Sequence, residues 1–138
     1  MIIRILQRTF IFSLLIVAIA VVAQAGPGEP LEWFHWAIGS YQSDIHSAGE
    51  LLKGNTTFEI NQQGDLAGNY TFEEKDTLVE GILFPCTAKS TPPRVSCVWT
   101  DKYGTGRLDI QFEEGFKLFY GSWQTDGHPE KFDWNGRR

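Results

Sequence analysis

Four links of two or three residues dictate most of what this chain can fold into: Gln63-Gly64-Asp65, Glu74-Lys75-Asp76, Lys102-Tyr103-Gly104 and Glu114-Gly115. Each is built from residues that favour tight turns, and each separates runs in which apolar and polar side chains alternate. Links this short leave no room for a crossover helix, so the strands they join run antiparallel. The alternation predicts strands near 33–43, 56–62, 66–73, 78–86, 94–100, 106–113 and 116–124.

The same alternation tells inside from outside. Phe58 and Ile60 share a face opposite Thr57, Glu59 and Asn61, and Leu108, Ile110 and Phe112 oppose Arg107, Asp109, Gln111 and Glu113. One face of the sheet is core and the other is wet. A meander of this length hides its edges by closing into a barrel or by folding over as a sandwich. The expected fold is all-β, a small antiparallel meander of about seven to eight strands closed into a barrel or a sandwich.

Glycine recurs inside the strands. Gly39-Ser-Tyr41, Gly68-Asn-Tyr70, Gly81-Ile-Leu83 and Gly121-Ser-Trp123 each set a glycine two residues before a large side chain on the same face. Glycine weakens a strand, and its repeated use marks bends where a sheet coils tightly and a bulky neighbour fills the gap. One stretch departs from the β pattern: Ser47-Ala-Gly-Glu50 has capping-box spacing, Leu51 and Leu52 follow, and Gly54 stands where a left-handed stop would. It reads as a turn or two of helix between the first two strands, or as a loop.

The first 25 residues stand apart from this pattern. Arg4 and Arg8 precede an apolar run from Thr9 to Ala23, and Ala23-Gln24-Ala25 has the small-x-small form of a signal cleavage site. The run is too short and wrongly flanked for a stable membrane anchor. The expected organisation is a signal peptide over 1–25 and a single domain over 26–138, secreted or periplasmic. Two of the twelve basic residues and none of the seventeen acidic ones lie in the leader, so cleavage moves the formal charge from −5 to −7. A balance that acidic repels phosphates and argues against a nucleic-acid partner.

Two cysteines in an exported chain predict one bridge, Cys86 to Cys97, across a connection that contains Thr91-Pro92-Pro93. His35, His46 and His128 show no metal-ligand spacing to each other or to the cysteines, so no metal or cofactor is expected. There is no Gly-x-Ser-x-Gly elbow, no His-Glu-x-x-His and no phosphate loop. Glu80 would serve as a general acid if it pointed inward, but the parity of Val79, Gly81 and Leu83 turns it to water. Trp99 and Tyr103 bracket Asp101 on one connection, suited to stacking on a ligand or gripping a partner and equally suited to a plain hairpin. Asn55-Thr-Thr57 and Asn69-Tyr-Thr71 fit the glycosylation acceptor pattern. Phe132 and Trp134 near the C-terminus either plug one end of the core, form a short last strand or present an anchor to a partner.

Asn55-Thr-Thr-Phe-Glu-Ile60 followed by Gly64-Asp-Leu-Ala-Gly-Asn-Tyr70 resembles the first hairpin of avidin-type barrels, with Gly39-Ser-Tyr41 as the opening element. The resemblance implies an eight-stranded, calycin-like barrel in which the residue matching Tyr70 contacts ligand and Trp99 and Trp123 lie on strands that carry pocket tryptophans. Ser43 stands where that family has a biotin-binding Asn, Phe72 replaces a small hydroxyl residue, the first connection is longer and the eighth strand is a stub around Phe132 to Trp134, so biotin is not implied. The function expected from the whole reading is a non-enzymatic exported barrel. It would bind a small molecule through Tyr70, Trp99, Trp123 and Tyr41, or a secreted protein through the loop with Asp101 and Tyr103. The alternatives are an inhibitor or immunity-type protein that blocks a secreted hydrolase such as a lysozyme, and a small hydrolase using Glu80 or Asp101.

Overall fold

A computed structural model describes Trp33–Ser90 and Pro93–Arg138; the expected signal peptide lies outside these residues. After a single helical turn, α1 (Phe34–Ala37), eight strands follow in chain order: β1 (Gly39–Ser47), β2 (Glu50–Ile60), β3 (Leu66–Glu74), β4 (Thr77–Ser90), β5 (Pro93–Asp101), β6 (Gly104–Phe112), β7 (Leu118–Thr125) and β8 (Phe132–Arg137). Each pairs antiparallel with the next, and β8 pairs back onto β1 through Ile45↔Trp134 to Gln42↔Arg137, so the sheet closes into a barrel. Among the described residues, closure leaves no strand of the sheet without a neighbour on either side.

Three local expectations change. The segment 33–43 is not one strand: its first part is the α1 turn, and β1 begins only at Gly39. The capping-box segment is neither helix nor loop but the tip of the β1–β2 hairpin. Ala48 and Gly49 both have positive φ, 48° and 84°, which is the backbone of the two-residue turn that matches strand twist. Flanking it, Asp44 pairs with Lys53 across the hairpin at 2.6 Å, a partner that local spacing does not reveal. The eighth strand is no stub either. It runs on to Arg137, with Trp134 and Gly136 turned into the barrel.

The predicted parities hold. Phe58, Leu108, Ile110 and Phe112 are buried, as are Val79 and Leu83, while Glu80 stands in water. Cys86 and Cys97 are bonded across directly opposed positions of β4 and β5, with Cα atoms 4.1 Å apart, beside a register shift between Leu83 and Cys86. The bridge therefore clamps the pairing where the ladder is irregular.

One end of the barrel is filled. Tyr41, Phe58, Phe112 and Phe119 form an edge-to-face cluster with ring centres 5.2 to 6.1 Å apart, and Trp33 and Phe116 pack on it from outside. Truncating a buried Phe to Ala costs about 3–5 kcal/mol, so this cluster anchors the fold. Arg138 seals it: its guanidinium lies 4.5 Å from the Tyr41 ring centre and donates to the carbonyls of Ile38, Phe116 and Trp36, tying the α1 turn and the β6–β7 turn to the C-terminus.

Above this cluster a polar layer crosses the interior. Ser43 and Thr56, both buried, share a hydrogen bond of 2.7 Å, and the Trp134 indole N–H donates to the Thr56 hydroxyl at 3.0 Å. Every polar atom in this layer is thus partnered, which fixes Trp134 as a partition across the barrel. What lies beyond it is open.

Candidate ligand-binding site

The open end is bounded by the β1–β2, β3–β4 and β5–β6 hairpins and the β7–β8 connection. It encloses about 190 Å³ lined by Ile45, Leu52, Tyr70, Phe72, Trp99, Trp123 and Trp134, with Ser47, Glu74, Asp101, Tyr103 and Thr125 at the polar positions. Trp134 forms the floor and meets Tyr70 edge-on, ring centres 4.7 Å apart. Trp99 and Trp123 form a wall, edge-to-face at 5.5 Å. Phe132 backs Trp123 from β8 at 5.0 Å.

Glycine on the neighbouring strand seats the two central rings. Tyr70 stands directly opposite Gly81, and a Cβ built there overlaps the Tyr70 ring. Trp99 stands opposite Gly106, where a Cβ would come within 2.7 Å of the Trp99 indole nitrogen. The space beside each glycine is therefore filled from across the ladder, not by the residue two places along the same strand.

The hydrogen bonding of the mouth is one-sided. Trp99 Nε1 donates to the Gln124 carbonyl at 3.0 Å and Trp123 Nε1 to the His46 carbonyl at 2.9 Å. Tyr70 donates its hydroxyl to Asp101 Oδ2 at 2.7 Å, and the Tyr103 amide donates to Asp101 Oδ1 at 2.8 Å. The Tyr103 hydroxyl donates to Glu74. Burial first, and then the Asp101 carboxylate, push the Tyr70 phenol far above its ordinary range, so Tyr70 keeps its proton and serves as a fixed donor. The donors face protein acceptors, and the carboxylate oxygens retain unused lone pairs.

Of the residues singled out from sequence, the structure gathers Tyr70, Trp99, Trp123, Asp101 and Tyr103 around this one cavity. Tyr41 is not among them. It lies fully buried at the filled end, where its hydroxyl is shared between the Phe116 and Ala37 carbonyls at 3.1 and 3.2 Å. Burial raises its phenol to about 12, with Arg138 acting in the opposite sense. Asn55 and Asn69 are exposed on the outer surface. Trp134 is buried rather than displayed as an anchor.

Sequence reasoning missed Trp134, Phe72 and Glu74 as lining residues. Parity alone carried the signal for two of them, because Phe72 and Glu74 follow Tyr70 at two-residue steps and so share its inward face. Among the described residues no three His, Cys, Asp or Glu side chains come together as a metal-binding group. Comparison of the chain with protein-family models, with curated proteins and with solved structures returned no match.

Proposed function

We propose that this chain is an exported, non-enzymatic binding protein that takes a small ligand in the open mouth of its barrel. The observation that carries the reading is the convergence of Tyr70, Phe72, Trp99, Trp123 and Trp134 on one cavity that the packing leaves unfilled. An apolar, largely pre-formed concavity with a few placed polar groups is what small-molecule recognition requires. The rings are also held rigidly by Gly81, Gly106 and the indole hydrogen bonds, so little ordering is needed on binding. Export rests on the basic-apolar-small pattern of the first 25 residues, and the Cys86–Cys97 bond suits an oxidising compartment outside the cytoplasm.

Two carboxylates in the mouth raise the question of catalysis. Asp101 is held on both oxygens by the Tyr70 hydroxyl and the Tyr103 amide, and Tyr70 does not release its proton at ordinary pH. Both features favour fixed recognition over proton transfer. The protein-partner reading draws on exposed Tyr103, but Asp101 turns inward to the Tyr70 hydroxyl and Glu74 is already engaged by the hydroxyl of Tyr103 itself.

Intrinsic fluorescence tests the proposal, because Trp99, Trp123 and Trp134 line the cavity. Titration with pools of small apolar, aromatic and sugar-like compounds should quench or shift the emission and raise the thermal midpoint. If no pool moves either signal, or if Trp99→Phe and Trp123→Phe leave every response unchanged, the mouth is not the binding site.

A further inference from the structure

Building on the reading that the mouth takes a small ligand, we infer that the ligand is a small organic cation: a primary ammonium joined by a short chain to one flat, apolar ring. The hydrogen-bond balance of the site points this way first. The indole N–H groups of Trp99, Trp123 and Trp134, the hydroxyls of Tyr70 and Tyr103 and the Tyr103 amide all donate to acceptors within the protein. What the mouth still offers is acceptor capacity on two carboxylates, Glu74 and Asp101, the hydroxyls of Ser47 and Thr125, and aromatic faces and edges. An ionised carboxylate accepts at about four positions, and the protein contacts here use only one or two on each. A group bringing N–H donors and positive charge satisfies both carboxylates, and the negative face of an aromatic ring favours the same charge. An anion would be repelled by two carboxylates, and a neutral polyol would leave their charge without a counter-charge.

Depth and size give the rest of the ligand. The floor and inner wall are Trp134, Tyr70 and Trp99, each buried to within a few per cent, whereas Asp101 and Glu74 are half-buried at the hairpin ends. The apolar part therefore enters first and the ammonium stays at the rim, where it keeps some water. A dry cavity of about 150 Å³ accepts a benzene ring. The 190 Å³ here fits one ring and the start of a short chain. The rim already holds a cation of the chain's own: the Lys102 ammonium lies 4.9 Å from the centre of the Tyr103 ring, whose hydroxyl binds Glu74.

Three probes of one shape and different charge test this: 2-phenylethylamine, 2-phenylethanol and phenylacetate, titrated calorimetrically into the intact protein at low and moderate salt. The amine should bind about tenfold or more tightly than the alcohol, and phenylacetate more weakly than either. Glu74→Gln should weaken the amine about tenfold and leave the alcohol unchanged, Asp101→Asn should weaken the amine at least as much, and added salt should weaken the amine alone. Glu74 accepts one protein donor whereas Asp101 accepts two, from the Tyr70 hydroxyl and the Tyr103 amide, so an unchanged thermal midpoint in E74Q separates loss of recognition from loss of fold. Equal affinity for alcohol and amine, preference for phenylacetate, or an amine affinity that neither substitution moves overturns the cation while leaving a ligand-binding mouth. So does silence from all three probes where compound pools give a signal. Silence from probes and pools alike removes the mouth reading itself, and the cation with it.

Discussion

The ring of Tyr70 lies in the space that a side chain on Gly81 would occupy, one strand across the ladder. From that seat its hydroxyl reaches Asp101 on β5, which spans β4 and ties three strands together at the mouth. Gly81→Ala is therefore expected to push Tyr70 off the wall. Overpacking of this kind costs about 1–3 kcal/mol. Chemical denaturation should show that loss, and ligand-induced fluorescence changes should disappear with it. A stable G81A protein with unaltered binding would mean that Tyr70 is not held by this contact.

The Cys86–Cys97 bond closes a short loop across the irregular part of the β4–β5 ladder. Removing it as the Cys86→Ala, Cys97→Ala pair should destabilise the barrel by about 3 kcal/mol in the chain-entropy model. Urea titrations of oxidised protein, reduced protein and the double variant measure this directly. Reduced protein and variant should agree, and the oxidised form should stand above both.

Tyr41 sets the behaviour at high pH. Its folded value of about 12 exceeds the ordinary value of 10.0 because burial disfavours the phenolate. A group raised in this sense gives stability that is complete below pH 10 and is lost as the pH climbs toward 12. Tyr70 is raised in the same direction and contributes to the same decline. Tyr41→Phe should remove one group's share of the slope above pH 10, against about 1 kcal/mol lost at neutral pH with its hydrogen bonds. A stability-pH curve for Y41F that keeps the full alkaline slope rules this cause out.

Asp44 contributes on the acid side. Hydrogen bonding and charge from Lys53 and Arg137 hold its carboxyl below the ordinary 3.8, the first side chain lying across the β1–β2 ladder and the second on β8. Its contribution is present above pH 3.8 and fades as the pH falls through the lower, folded value. Because the pairs are largely in water, the effect should be small and salt-sensitive. Asp44→Asn should slightly flatten the acid limb and lessen its dependence on salt.

Much of this was legible in the residues, and the places where it was not have physical causes. Hairpin links and parity are local properties, so the meander, the inward set Leu108, Ile110, Phe112 and the outward Glu80 could be read directly. Ser47-Ala-Gly-Glu50 misled because the same four residues suit a helix start and a two-residue turn, and the choice between them goes with the continuous β1–β2 ladder from Gly39↔Phe58 to Ser47↔Glu50, whose partners lie beyond the local window. Tyr41 and Tyr70 carry the same Gly-x-Tyr spacing yet lie at opposite ends of the interior. Height along the barrel depends on where each strand begins and on the stagger between strands, which no single strand encodes.

Seven of the eight strand pairings join neighbours in the chain, whereas the eighth brings Ile45 against Trp134, about ninety residues later. The hairpins can form early and independently, since their closing loops are short. The ring cannot, because joining β1 to β8 must order the whole intervening chain, and the entropy of that closure falls on one step. Trp134 thus belongs at once to the pairing that completes the circle and to the floor of the cavity, so the mouth depends on the one contact that spans the whole barrel.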